Sequence, residues 1–174
     1  MTANEFCIAV RLATAAEAST VLPLIQTAFA DNAAVIDPPS SVERMTTESL
    51  AADLARYAGY VAVSAGAGPV GFVLTRAQPD ALYWGRLAVA RAWRGRGVAS
   101  RLMTWVEARA RQQGFERARI EVRLALRDQQ RIYAARGYLV AGFGTHDGYA
   151  SPTYQIMEKQ LSAADSNSEK PPST

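Results

Sequence analysis

The sequence is poor in the residues from which metal centres and covalent staples are made. Its 174 residues hold one cysteine, Cys7, and one histidine, His146. A single cysteine excludes an intrachain disulfide framework and a cysteine-rich zinc site. With only one histidine beside it, an ordinary His/Cys metal centre is not expected and no metal is assigned. Cys7 reads as a small apolar residue on a strand. Nor is there an unbroken apolar run. The longest uncharged stretch, 57–75, contains Gly66, Gly68, Pro69 and Gly71, which suit two strands about a turn better than a membrane helix. The amino terminus has no basic region followed by an apolar core, so no signal peptide is expected and the cytoplasm is the default location. Hydrophobic residues make up 49% and charged residues 20%, which excludes a wholly disordered or collagen-like chain. The length points to one domain, able to bury a core without staples.

Acidic residues are scarce in one third of the chain. Between Arg86 and Arg136 there are 13 Lys or Arg against four acids, a net of +9, whereas the remainder carries −6. A positive field of this kind expects an anion, whether nucleic acid, a nucleotide or a phosphorylated cofactor.

Hydropathy periods and breakers divide the chain into strands and helices. Phe6–Leu12 reads as a strand and Ala15–Ala30 as an amphipathic helix, its apolar face made by Leu22, Ile25, Ala28 and Phe29. A Pro-rich loop containing Asp37-Pro38-Pro39-Ser40 follows, then a helix over 47–57. Strands are expected at 60–64, 69–76 and 82–89, a long helix from Gly97 to about Gln113, and a strand over 118–124. A short helix at 128–136, capped by Gly137, and two strands at 138–145 and 153–161 complete the folded part. From Ser162 the composition offers almost nothing to bury, and 162–174 is expected to be a disordered tail beyond a single domain of 1–161. This element order argues for an α/β fold with a mixed sheet covered by helices.

The most informative segment is Leu87-Ala88-Val89-Ala90-Arg91-Ala92-Trp93-Arg94-Gly95-Arg96-Gly97-Val98-Ala99. A strand enters a loop with two glycines, and the loop becomes a helix N-terminus. Free N–H groups and the helix dipole favour a phosphate there, and glycine lets backbone approach it closely. Arg91, Arg94 and Arg96 add positive charge. The loop lacks the Lys-Ser/Thr ending of a P-loop, and Ser100 stands where a Gly-x-Gly-x-x-Gly motif needs its last glycine. On these residues alone, a tight strand-to-helix turn and a pyrophosphate cradle both remain open.

Arg94-Gly95-Arg96-Gly97-Val98-Ala99 resembles the Arg/Gln-x-x-Gly-x-Gly/Ala signature of the GNAT superfamily of N-acetyltransferases. Ile132-Tyr133-Ala134-Ala135-Arg136-Gly137-Tyr138 is similar to that family's Leu-Tyr-x-x-x-Gly-Phe/Tyr segment, and the resemblance extends over roughly 6–161. It implies a mostly antiparallel sheet of about seven strands, splayed between the fourth and fifth. It also implies acetyl-CoA as cosubstrate, its pyrophosphate on backbone amides of Arg94, Gly95, Arg96, Gly97, Val98 and Ala99. The strand of Leu87, Ala88 and Val89 would pair with the pantetheine arm through Leu87 and Val89. Tyr133 matches the general acid that protonates the departing thiolate. Gln129 stands near the position where many members carry an asparagine. The fourth strand has no glutamate for a general base, which leaves Glu121 and His146; Glu121 can equally pair with Arg119 or Arg123. The implied partner is a small-molecule or peptide amine, with a symmetric homodimer compatible with this reading.

Blander readings compete. Tyr133 has the spacing of a core aromatic before a capping glycine, and Trp84, Trp93 and Trp105 read as packing residues. Two rival functions are a silent acyl-CoA sensor and a basic nucleic-acid-binding module. No recognition helix or RNA-reading motif supports the latter, and nucleic acid is not expected as a partner.

Overall fold

A computed structural model describes residues 8–161. Cys7, the first residues of the predicted first strand and the predicted tail at 162–174 lie outside the described residues. The elements follow in the order β1 (Ile8–Leu12), α1 (Ala18–Ala30), α2 (Thr47–Arg56), β2 (Ala58–Ser64), β3 (Gly68–Ala77), β4 (Leu82–Val89), α3 (Val98–Gln112), β5 (Arg117–Arg123), α4 (Arg127–Ala135), β6 (Leu139–Gly144) and β7 (Tyr154–Gln160). Short 3₁₀ turns occupy Ala15–Glu17, which takes the first turn of the expected Ala15–Ala30 helix, and Ser41–Arg44 and Arg91–Trp93, where the sequence has no helical or strand period.

One sheet in the order β1-β2-β3-β4-β5-β7-β6 runs through the molecule. Its ladders are antiparallel except that β4 and β5 are parallel and pair only at Leu82–Ala118 and Tyr83–Arg119. Beyond that point the two strands share no ladder, although β4 runs six residues further, to Val89. This is the expected seven-stranded mixed sheet, opened between the fourth and fifth strands.

Register sorts the side chains onto two faces, since residues abreast in neighbouring strands point the same way. Arg76, Tyr83, Arg119 and Glu158 stand abreast on one face, and Glu121 and Arg123 follow on β5. Helices α1 and α2 cover the first half of this face, burying Val21, Ile25, Leu50 and Leu54 against Val61, Phe72 and Leu74. Each fully buried aliphatic side chain of this kind contributes about 1.5–3 kcal/mol. The opposite face carries Trp84, Ile120, Val122 and Met157 under Val98, Leu102, Val106 and Ala110 of α3.

Two local devices hold the ends of these helices. The Thr14 N–H donates to Glu17 Oε2 at 2.9 Å, and Arg11 grips the same carboxylate at 2.7 Å. Arg11 first, then the Thr14 N–H, hold Glu17 down at about 2. Gly114 and Gly137, both at positive φ, follow α3 and α4, as the sequence reading expects of helix stops.

A polar chain is sealed inside the α3 face. Trp84 Nε1–H donates to Tyr138 Oη at 2.9 Å, the Tyr138 hydroxyl donates to Glu107 Oε1 at 3.2 Å, and Lys159 Nζ donates to Glu107 Oε2 at 2.8 Å. Arg136 bonds Ser100 and Thr104 of α3 at 2.9 and 3.1 Å, tying the end of α4 to the same helix. Burial is the main cause that raises the Tyr138 hydroxyl far above its ordinary pKa, so it stays a donor. Replacing Tyr138 by Phe removes both bonds and leaves the Trp84 N–H unpaired in the core. We expect Tyr138→Phe to lose about 1–3 kcal/mol in urea unfolding, with an unchanged denaturant slope. An unaltered midpoint would mean that the chain of bonds is inert.

Candidate active site

Where β4 and β5 diverge, a cleft of about 930 Å³ opens between them. The β4 edge that lines it carries a bulge: Gly85 pairs with Leu74 and Ala88 with Phe72, so one extra residue is fitted into β4. Arg86 takes φ 54° at this point, and its guanidinium bonds Asp53 of α2. The bulge thus brings Arg86 to the α2 side directly after Gly85, and re-aims the remainder of the strand. From Trp84 to Val89 the edge facing β5 has no strand partner among the described residues. Leu87 and Val89 line the cleft, whereas Ala88 is buried beneath α1.

At the upper end of β4 the chain turns into the glycine loop. Ala90 N–H donates to the Val70 carbonyl at 3.0 Å, which holds the loop to β3. Gly95 and Gly97 have φ of 71° and 79°, and a Cβ at either would meet nothing within 4 Å. Backbone conformation, rather than crowding, therefore requires glycine. Gly97 caps α3 without any side-chain hydrogen bond, so the first N–H groups of this 15-residue helix are left to other partners. Val98 is buried under the sheet, and Ala99 lies at the cleft wall.

The loop arginines depart from the expectation that all three add free charge. Arg91 and Arg94 both pair with Asp31 at the end of α1, Arg94 at 2.7 Å, and Arg94 Nε–H also donates to the Val89 carbonyl at 3.2 Å. Arg96 lies over the Trp93 ring, 5.2 Å from its centroid. Asp31 thus fixes the loop to α1, and much of the local positive charge is matched within the protein.

Tyr133 of α4 reaches the cleft from the opposite wall. Its ring packs edge-on against Trp84 and Tyr138, at 5.6 and 6.2 Å between centroids. No hydrogen bond to a described residue engages its hydroxyl, unlike that of Tyr138. Burial, followed by the nearby Tyr83, raises its pKa to about 12, so the group is a proton donor at neutral pH. Gln129 lines the same wall, while its neighbour Gln130 donates to the carbonyls of Arg123 and Leu124 at 2.9 and 3.1 Å and pins α4 to the end of β5.

The floor and far wall come from the other sheet face. Glu121 lines the cleft and forms no ion pair among the described residues, because Arg119 is taken by Glu158 at 2.6 Å and Asp80 at 2.7 Å. Loss of water raises the Glu121 pKa above its ordinary value, against the pull of Arg76 and Arg119. Tyr83, whose ring covers Gly85, sits beside it and is raised to about 12, chiefly by burial and then by the Glu121 charge. Tyr83, Arg76, Arg123 and Tyr154 are cleft residues that sequence reasoning did not single out; only the strand alternation that puts Tyr83 and Gly85 on one face could have suggested the first. His146 also lines the cleft. Its Nδ1 lies 2.5 Å from Thr153 Oγ1 and 3.4 Å from Arg123 Nη1, which hold the ring in place. Burial and then the Arg123 charge lower its pKa, so the ring is neutral at neutral pH.

Among the described residues no group of three His, Cys, Asp or Glu is placed to hold a metal, and no helix is long and apolar enough to cross a membrane. The loop anchor carries a test. Arg91 first, then Arg94, depress Asp31 from 3.8 to about 2, so its stabilisation is complete above pH 3.8 and is lost as pH falls through about 2. Asp31→Asn should therefore be less stable than the parent at neutral pH, and the gap should close between pH 3.8 and 2 in urea unfolding at stepped pH. A gap independent of pH would remove the ion pairs from the account.

The arrangement has close counterparts. The chain resembles a candidate N-acetyltransferase from Lactobacillus plantarum, 25% identical, with a TM-score of 0.65 over 89% of this chain and 99% of that one. It superposes on a PaiA N-acetyltransferase from Thermoplasma acidophilum in complex with coenzyme A at TM-score 0.73 and 18% identity, over 88% and 99% of the two chains. An acetyltransferase of the GNAT family from Staphylococcus aureus gives TM-score 0.71 at 11% identity, over 90% and 100%. No curated protein sequence matches the chain. The model of the "Acetyltransferase (GNAT) family" matches residues 25–138, which span β2 to β5, the glycine loop and Tyr133. The chain belongs to the GNAT family of acetyltransferases, and with it to the acyltransferases that draw on a CoA-type donor.

Proposed function

We propose that the protein is an N-acetyltransferase that moves an acetyl group from acetyl-CoA to a primary amine by direct attack within a ternary complex. The observation that carries this reading is the opening of β4 from β5 after two paired residues, with an uncapped helix N-terminus at one end and an unpaired carboxylate and tyrosine hydroxyl on its walls. Backbone amides from Arg94 to Ala99 suit a pyrophosphate, because the glycines leave space above the loop and no side chain caps the helix. The free β4 edge at Leu87 and Val89 suits the amide groups of the pantetheine arm, which need in-line backbone partners. Gln129 is positioned on the wall they would face. The cosubstrate supplies an activated acetyl thioester.

The protein's own residues then have two protons to manage. A primary amine is protonated at neutral pH and must lose a proton before it can attack, and the leaving sulfur must gain one. Glu121, unpaired and partly stripped of water, takes the first proton directly or through a water molecule. Tyr133, protonated and with its hydroxyl uncommitted, gives the second. Trp84 and Tyr138, in edge contact with each other at 5.9 Å, both pack against the Tyr133 ring, so the ring is held before substrate arrives. His146 enters as a neutral ring held beside Arg123 and Thr153.

An assay of thiol release from acetyl-CoA over a panel of primary amines tests this reading, and absence of turnover with every amine would leave a silent CoA-binding protein. Within that assay, Tyr133→Phe should leave acetyl-CoA affinity nearly intact and lower kcat roughly 10²–10⁴-fold; unchanged turnover across pH would remove Tyr133. Because Glu121 must be ionised to accept a proton, kcat/KM should rise with pH along a limb centred above the ordinary carboxylate range. Glu121→Gln should abolish that limb and Tyr133→Phe should retain it. Persistence of the limb in Glu121→Gln would assign the base elsewhere.

A further inference from the structure

The cations of the cleft fall into two groups. Most have a partner inside the protein: Arg86 has Asp53, Arg94 has Asp31, and Arg136 bonds Ser100, Thr104 and, at 3.9 Å, Glu107. Two do not. Arg76 forms no ion pair with a described residue; its guanidinium lies over the Tyr57 ring at 4.7 Å, and its buried Nε–H has no hydrogen-bond acceptor. Arg123 likewise has no described carboxylate in ion-pair range. Its contacts are the Pro39 carbonyl at 3.5 Å and His146 Nδ1 at 3.4 Å, neither of which offsets a charge. Burial is the largest influence on Arg123 and pushes its pKa down, as expected for a cation lacking a close anion.

Both guanidinium groups line the cleft on the sheet face that also bears Glu121 and Tyr83. Arg76 stands opposite Tyr83, six residues and roughly 20 Å along β4 from Val89 and the glycine loop. That distance separates it from a pyrophosphate at the loop. Arg123 lies two residues, roughly 7 Å, beyond Glu121 on the same face of β5. The acceptor side therefore presents one unpaired carboxylate between two unpaired guanidinium groups, with the Tyr83 and Tyr154 rings beside them. A simple cationic amine would be repelled by this wall. A molecule with both an ammonium and an anionic group would satisfy it.

We infer that the acceptor is a small amino compound bearing a carboxylate or a similar planar or tetrahedral oxyanion, whose anion is held by Arg76 and Arg123 and whose amine faces Glu121. This rests on the acetyl-transfer reading. Guanidinium suits the role because its fixed fork of donors matches an oxyanion in two-point fashion. The amine end meets Glu121, which both attracts the ammonium and takes its proton. Tyr83 packs along the linking carbons.

Matched pairs of amines test it: amino acids of varied side chain against their carboxamides, and aminoalkylphosphonates against the corresponding alkylamines. Each is titrated calorimetrically into the protein saturated with CoA and, separately, assayed for thiol release from acetyl-CoA. The anionic member of at least one pair should bind at least tenfold more tightly than its neutral counterpart. Arg123→Gln and Arg76→Gln should each raise KM for that member about ten- to hundredfold, leave KM for the neutral counterpart within twofold, and change kcat little. Selective binding without turnover of any amine would overturn the acetyl-transfer reading while upholding the anion site. Turnover of uncharged amines as good as that of the anionic members, no measurable binding of any anionic member, or an unchanged preference in both arginine variants, would overturn the inference. Circular dichroism of the variants, with Arg76→Lys as a conservative partner, separates misfolding from loss of the site; partial recovery of KM by the lysine is expected.

Discussion

Everything functional in this protein depends on two parallel strands parting company. A sheet gains from every ladder it closes, and β4 and β5 forgo most of theirs: two residue pairs hold them, and then each strand has other business. On one side the β4 bulge at Arg86, anchored to Asp53, turns the strand toward α1 and the glycine loop. On the other, β5 is bound along its full length to β7, and its base is clamped by Arg119 between Asp80 and Glu158. Core packing on the α3 face, with Trp84 and Ile120 under one helix, keeps the strands from collapsing together. The cleft is thus the residue of three separately satisfied constraints.

The chemistry of the cleft follows from what the surrounding structure leaves unsatisfied. Backbone groups on β4 and at the start of α3 have no partner among the described residues, and they suit a long cosubstrate with amides and phosphates. Of the titratable side chains, those committed to the fold are conspicuous by their partners: Tyr138 to Trp84 and Glu107, Arg119 to two acids, Asp31 to two arginines. Glu121, Tyr133, Arg76 and Arg123, which have no such partner among the described residues, gather in the cleft. Membership of the GNAT family agrees with this division, since acyl transfer needs a donor site, a proton acceptor, a proton donor and room for the acceptor.

Much of the fold was legible in the sequence because its signals are local. The turn at Gly66-Ala67-Gly68-Pro69 between 60–64 and 69–76, the apolar stripe of α3, and the stops at Gly114 and Gly137 each act over a few residues, and element ends differ from expectation by no more than three residues. The glycine loop was legible for the same reason. What escaped was pairing across distance. Asp31 lies sixty residues from Arg91, so the neutralisation of the loop arginines had no sequence signal. Nothing in the sequence shows that Asp80 and Glu158 relieve Glu121 of Arg119, and Arg76 and Arg123 differ from the other arginines only in the partners that the fold withholds from them. Tyr83 belongs to no motif; only its place opposite Arg76 and beside Arg119 gives it meaning.

The central claim is that the opening between β4 and β5 is a site for acetyl-CoA, its pyrophosphate on the backbone of 94–99. Calorimetric titration of the purified protein with acetyl-CoA, beside dephospho-CoA and ADP as controls, tests it most directly. Saturable one-to-one binding of acetyl-CoA, much tighter than of ADP, is expected, because loop and strand edge act on one ligand. Absence of binding at low salt, or binding no tighter than that of ADP, would mean that the Gly95–Gly97 turn only joins a strand to a helix.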